Sequence, residues 1–290
     1  MEDNYIMLDV ILDTLIDSVK LLPFLFLTYL AMEYIEHKTT AKTKQMIKNS
    51  GKAGPLIGAV LGAFPQCGFS AAASNLYAGR VITLGTLISI YLSTSDEMLP
   101  VFLSEKVPVS TIITIIGGKI VIGMAAGFVI DFVMRKAKGQ EDIQKKIGHI
   151  CDHDHCHCED GILKSSVKHT VVILGYIILI SFVLNTVIYF VGEETLGNLI
   201  LNKPVLGPAI AAIVGLIPNC ASSVVITQLY IGGVMSIGSA MAGLLAGCGV
   251  GILVLFKENR DIKENIKILV LLYALGLFSG IIIDAVCSFF

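Results

Sequence analysis

The 290-residue chain is 54% hydrophobic and only 15% charged, with a mean hydropathy of +0.79. Those values exclude an ordinary soluble domain and mark a polytopic membrane protein. A net charge of −2 points to no nucleic-acid partner, and seven cysteines without the spacing of a secreted framework argue against disulfides.

The N-terminus, Met1-Glu2-Asp3-Asn4, is acidic and lacks the basic region of a cleaved leader, so the first helix is expected to be retained. Asp9, Asp13 and Asp17 recur every four residues and read as a solvated helix face beside the first apolar stretch, 10–35. Segment 36–52 carries Lys38, Lys42, Lys44, Lys48 and Lys52, which places it in the cytoplasm by the positive-inside rule. From Gly54 to Leu103 the chain must cross a net odd number of times in 50 residues, which is tight for three full spans. The better reading is a re-entrant hairpin followed by one span. Residues 54–64 enter, Phe64-Pro65-Gln66-Cys67-Gly68 turns, 69–79 return and 81–103 cross. Proline breaks the helix at the turn, and glycine tolerates its geometry. The short loop 104–108 holds one base and is placed outside. The span 109–134 then leads to 135–168, whose seven Lys or Arg residues are cytoplasmic. After the apolar stretch 166–190, segment 191–203 carries Glu193, Glu194 and only Lys203, and is placed outside. Segment 257–267, with Lys257, Arg260, Lys263 and Lys267, is cytoplasmic and precedes the last span, 268–290.

A repeat underlies this order. Residues 54–85 align with 207–238 at a constant offset of 153, with 13 of the 32 pairs identical, and the register continues without a gap to Asp131 and Asp284. Basic 38–50 aligns with acidic 191–203, near-neutral 104–108 aligns with basic 257–261, and Arg80 aligns with Gly233. Equivalent loops on opposite sides require an odd number of crossings per repeat, hence inverted halves with both termini outside. The second hairpin turns at Ile217-Pro218-Asn219-Cys220-Ala221. The expected fold is an all-α polytopic membrane protein of two inverted repeats. Each has about three spans plus a re-entrant helical hairpin, about ten apolar segments in total. The organisation is 1–134 for repeat 1, 135–165 for a cytoplasmic His/Cys-rich linker and 166–290 for repeat 2.

Two opposed tips would bring Gln66, Cys67 and Ser70 towards Asn219, Cys220 and Ser223 near the bilayer midplane. The helix after each hairpin reads as interrupted, at Ser93-Thr94-Ser95-Asp96-Glu97 and at Ala246-Gly247-Cys248-Gly249, with Ser95 equivalent to Cys248. Freed carbonyls and helix ends at such breaks hold ions and anionic groups in transporters. Cys67, Cys220 and Cys248 could form a soft, three-thiolate site for a soft metal ion or a thiophilic metalloid. Against this, buried cysteines also serve as small hydrophobes. Asp96 and Glu97 lie in the middle of an apolar span, where a charge is costly, so substrate binding or proton coupling is the default reading. Lys119, whose equivalent is Leu272, is the candidate to neutralise one of them and to share in coupling with Asp96. For Asp131 and Asp284, close to span ends, capping or interfacial solvation is favoured.

The linker reads His149-Ile150-Cys151-Asp152-His153-Asp154-His155-Cys156-His157-Cys158-Glu159-Asp160. Its four histidines and three cysteines, without zinc-finger spacing, suit an adaptable transition-metal binder, with a solvated polar linker as the plainer alternative.

The tip Pro65-Gln66-Cys67-Gly68, the following Leu76-Tyr77-x-Gly79, their repetition near Pro218 and the His/Cys-rich loop resemble the ten-segment heavy-metal exporter family. That family is also labelled as manganese transporters and is related to the arsenic permeases. The resemblance covers essentially the whole chain and implies a secondary transporter of a bacterial or archaeal inner membrane. Related organoarsenical permeases look like Pro-x-Cys-x-Cys-Gly, whereas the second cysteine is missing here. The function expected is export of a transition-metal ion or metalloid, with no resident cofactor required, the lipid bilayer as surroundings and a homodimer compatible with the sequence. The alternative is transport of a small organic or metalloid anion, with the linker as a metal sensor. No Walker A pattern and no Cys-x-x-Cys pair occur, so neither built-in ATP hydrolysis nor a thiol enzyme is expected.

Overall fold

The computed structural model describes residues 53–64, 68–95, 98–137 and 206–289, together with single helical positions between 16 and 30 and between 163 and 186. The continuous segments form helices α1 (Gly54–Gly62), α2 (Gly68–Ala78), α3 (Leu84–Ser93), α4 (Met98–Ser104) and α5 (Val109–Ala137). After the linker come α6 (Leu206–Gly215), α7 (Cys220–Ile231), α8 (Ile237–Ala246), α9 (Gly251–Glu258) and α10 (Ile262–Phe289). The first residues of α3, α4 and α5 return 153 positions later as the first residues of α8, α9 and α10. Among the described residues the architecture is entirely helical.

The interruptions expected after each hairpin segment are present. Helix α3 stops at Ser93, Thr94 turns to φ −54° and ψ 126°, and α4 starts at Met98. Helix α8 stops at Ala246, Gly247 is extended, Gly249 takes a left-handed φ of 51°, and α9 starts at Gly251.

The same local chemistry starts α3 and α8. The N-caps Thr83 and Ser236 accept from Thr86 N and Ser239 N, each at 3.1 Å, satisfying a backbone donor of the first turn. A carboxylate from the neighbouring long helix then completes each start. Asp131 accepts from Thr83 Oγ1 at 2.7 Å and Gly85 N at 2.9 Å. Asp284 accepts from Ser236 Oγ at 2.7 Å and Gly238 N at 2.8 Å. Capping is therefore what these two acids do, each for another helix.

Small residues let these helices touch. Gly85 lies against Gly127, and its repeat equivalent Gly238 lies against Gly280, so close that a methyl at either would strike the facing carbonyl. Such contact suits apolar surroundings, where van der Waals packing of small residues holds helices together. The contacts also give directions. Gly54 sits beside Thr86 and Gly62 beside Ile90 and Ser93, so α1 runs with α3. Gly85 meets Gly127 while Ser93 meets Gly123, so α3 runs against α5.

The halves interlock through crossed contacts. Helix α2 packs on α9, with Ser74 Oγ donating to Gly251 O at 2.6 Å, and its end reaches the start of α10, where Tyr77 Oη donates to Glu264 Oε1 at 2.7 Å. Helix α4 packs on α7, where Phe102 and Tyr230 meet edge to face with ring centroids 6.3 Å apart. At the first crossing Arg80 forms a two-toothed ion pair with Glu264, at 3.1 and 2.8 Å, while Asn259 donates to the same carboxylate at 3.1 Å. The Glu264 hydrogen bonds hold the Arg80 guanidinium above its ordinary pKa.

Three of the described helical stretches are long and apolar enough to cross a membrane: Val109–Lys136, Ile237–Glu258 and Ile262–Ser288. The middle one, α8 through the break into α9, is almost wholly enclosed by protein, whereas in the other two most residues are at least partly exposed. Phe128, Phe132 and Val133 on α5, and Val270, Phe278 and Ile282 on α10, form that outer surface. The core inside contains Leu87, Tyr91, Met98, Phe102, Leu245 and Leu255, all at most 0% exposed.

Candidate functional site

Helices α3 and α8 end near one another at the centre of the molecule, and a buried lysine joins them. Lys119, 1% exposed on α5, donates from Nζ to the carbonyls of Thr94 and of Leu244, the latter at 2.8 Å. Thr94 is the C-cap of α3 and Leu244 lies in the last turn of α8. Terminal carbonyls of a helix lack intrahelical partners and carry the negative end of its dipole, so an ammonium there is stabilised twice over.

Lys119 borders a narrow, partly open cavity lined by both halves. On one side are Thr94 and Ser95 from the α3 break; opposite are Asn219, Ser222 and Ser223 from the second tip and the first turn of α7. Gly247 and Gly249 of the α8 break complete the wall with backbone, and Met98 and Ile226 give it an apolar side. The tip is held by its own hydrogen bonds: Asn219 N donates to Ile217 O at 2.7 Å, and Ser222 Oγ to Asn219 O at 2.6 Å. Thr94 Oγ1 donates back to Ile90 O at 2.8 Å and Ser95 Oγ to Ser93 O at 3.2 Å, leaving their lone pairs to face a ligand. Its interior has room for a single water or small ion and not for a bulky organic molecule.

Of the residues singled out in the sequence, the cavity brings together Ser95, Lys119, Asn219 and Ser223. Ser70 lies elsewhere, fully buried against Gly251, and accepts at its carbonyl from Ser74 Oγ at 2.7 Å. Cys248 is 1% exposed within the apolar core and is not among the described residues of the cavity wall. Gln66, Cys67, Asp96 and Glu97 lie outside the described residues, as do His149, Cys151, His153, His155, Cys156, His157 and Cys158, and Asp9, Asp13 and Asp17. For Cys220 only the backbone, at the start of α7, is described. Among the described residues no cluster of His, Cys, Asp or Glu has the geometry of a metal site.

Thr94 and Ser222 were not singled out. The signal for Thr94 was its place inside the break; Ser222, next to the tip but aligned with Phe69, carried none. In the first half the Tyr91 hydroxyl bonds to Ser74 Oγ at 2.6 Å and to Gly251 O at 3.2 Å, joining α2, α3 and α9.

No curated protein and no solved structure matches the chain. A family model described as "Putative, 10TM heavy-metal exporter" matches residues 6–193, which include α1 to α5 and the linker. Helices α6 to α10 lie beyond that match but repeat α1 to α5 at the constant offset. With about two thirds of its length matched and its helices apolar enough to span a bilayer, the chain belongs to the ten-span heavy-metal exporter family.

Proposed function

We propose that the protein is a secondary-active exporter of a transition-metal ion or metalloid whose central site lies between opposed hairpin tips and two broken helices. The observation that carries this reading is the cavity itself, where Asn219 and Ser223 of one tip face Thr94, Ser95 and Lys119 of the other half. The thiols of Cys67 and Cys220 serve this site as soft ligands, Gln66 adds an amide, and Asp96 and Glu97 supply carboxylates. Ser70 supports the first tip, and Cys248, equivalent to Ser95, is the remaining thiol at the breaks. Asp96 and Lys119 couple the substrate to a counter-ion or proton.

Inverted halves with re-entrant hairpins are the architecture of this reading, and the crossed contacts support them. Gly54 and the α2–α3 junction lie at the same end of α3, as expected if 54–78 enters and returns. The start of α10, to which the α9 C-cap Asn259 is bonded, meets the end of α2, and α4 meets the end of α7, as expected if α8–α9 runs against α3–α4. Arg80, Lys257, Arg260, Lys263 and Arg135 then fall at one end, which supports a cytoplasmic assignment for it. In this reading the protein lies in the inner membrane of a bacterium or archaeon. Both termini are outside, residues 1–134 and 166–290 form the two membrane halves, and the 135–165 linker captures metal in the cytoplasm through His149, His153, His155, His157, Cys151, Cys156 and Cys158. No resident cofactor is required, and two copies assembling as a homodimer is consistent with the scheme.

The test is uptake of Mn²⁺, Zn²⁺, Cu⁺ and arsenite by inside-out proteoliposomes, with and without a pH gradient. Uptake of one of these that is lost in Cys67→Ala/Cys220→Ala supports the exporter and names its substrate. Absence of uptake for all four removes it. A second reading, carriage of a small organic or metalloid anion with the linker as metal sensor, is favoured by one observation. The described cavity wall offers an ammonium, an amide and hydroxyls, which are anion-binding groups. Competition by oxyanions for the cavity decides between the two.

A further inference from the structure

We propose that the Lys119 ammonium is a tethered cation filling an alkali-cation site between the two halves, so that this transporter takes no sodium or potassium coupling ion there. The site is built from the two helix C-termini, one from each half, that meet at the Lys119 nitrogen. Its described oxygens are the carbonyls of Thr94 and Leu244. Converging terminal carbonyls at the breaks of discontinuous helices are the ligands with which secondary transporters hold a small monovalent cation. Their orphan lone pairs and the summed helix dipoles make the position negative, and its depth makes an unfilled site costly.

An ammonium group answers each of these demands, with three donors on one positive charge. It reaches them from a third helix, α5, rather than from either helix end, so the lysine is not a local cap of its own helix. The repeat isolates the feature: the equivalent of Lys119 is Leu272, buried at 0% exposure, so only one half supplies a cation and only one such position exists in the pair. Thr94, Leu244 and Lys119 all line the cavity, so a free cation and its waters can reach the same carbonyls once the ammonium is removed. This assignment stands on the helix ends alone and holds for a cationic or an anionic substrate.

Thermal melting in choline buffer tests it. The wild-type melting temperature should not move when Na⁺, K⁺ or methylammonium replaces choline. Lys119→Ala should melt lower and regain at least about 3 °C on addition of one of the three, as expected for a ligand that binds only the folded state. Should Lys119→Ala not fold, Lys119→Met, which keeps the apolar stem, provides the same comparison. Saturable binding of radioactive sodium is measured on both proteins, with the variant expected to bind and the wild type not. A folded variant that no small cation stabilises would show that the lysine is only a structural brace and overturn the proposal. Saturable sodium binding by the wild type, abolished by Thr94→Pro, would overturn it too.

Discussion

At the residue scale, Asp131 and Asp284 are the most informative pair in the chain. The offset of 153 singled them out as equivalents, and each turned out to tie the start of a different helix to its own through one hydroxyl and one backbone amide. Removing either carboxylate leaves a buried amide and hydroxyl short of an acceptor. Asp131→Ala and Asp284→Ala should each cost about 1–3 kcal/mol, read as a lower melting temperature, and the asparagine variants should cost less. The role of Lys119 was harder to read. Sequence offers side chains as partners, and Asp96 and Glu97 were the nearest ones in view. Among the described residues the lysine meets the carbonyls of Thr94 and Leu244, and no residue type announces a helix end that lies 125 positions away; Asp96 and Glu97 lie outside the described residues. Ser222 was hidden for a related reason, since its value lies in holding the turn of the tip rather than in its own chemistry.

At the element scale, the breaks in α3–α4 and α8–α9 were legible because clustered hydroxyls at Ser93-Thr94-Ser95 and glycines at Gly247 and Gly249 mark them directly. The packing of α2 on α9 and α4 on α7 was not legible, since apolar helix faces carry no address. One clue was present. Arg80 takes a left-handed φ of 58° where its equivalent Gly233 has 71°. A non-glycine residue in that conformation is strained and is kept for its side chain. Here the side chain grips Glu264 and lies over the Tyr77 ring at 5.2 Å. Arg80→Gly relaxes the backbone but loses the grip, whereas Glu264→Gln leaves the Arg80 backbone as it is and weakens the grip together with the bonds from Tyr77 and Asn259. A double-mutant cycle on melting should return a coupling of about 1 kcal/mol between them. The helix crossings make a sharper prediction. Gly127→Leu and Gly280→Leu should each destabilise by about 1–3 kcal/mol or prevent folding. Gly117→Ala, with nothing within 4 Å of the new methyl, should be neutral or slightly stabilising in the same melts.

At the scale of the whole molecule, two near-copies of one helical unit enclose a site that belongs to neither alone. The copies are equal in their caps and glycine contacts and unequal at the centre, where the equivalents of Lys119 and Tyr91 are the apolar Leu272 and Leu244. That inequality suits a carrier, in which one half presents the substrate and the other supplies charge. The proposed topology predicts that Arg80→Cys and Lys263→Cys react with a membrane-impermeant thiol reagent from the same side, and Glu105→Cys from the opposite side. The most direct test of the central site replaces its polar wall without touching any thiol. In inside-out proteoliposomes, Asn219→Leu/Ser223→Ala should take up the metal carried by the wild type at least about tenfold more slowly, a barrier increase of about 1.4 kcal/mol, with an unchanged melting temperature. Wild-type uptake by the folded variant would contradict the assignment of this cavity as the substrate site.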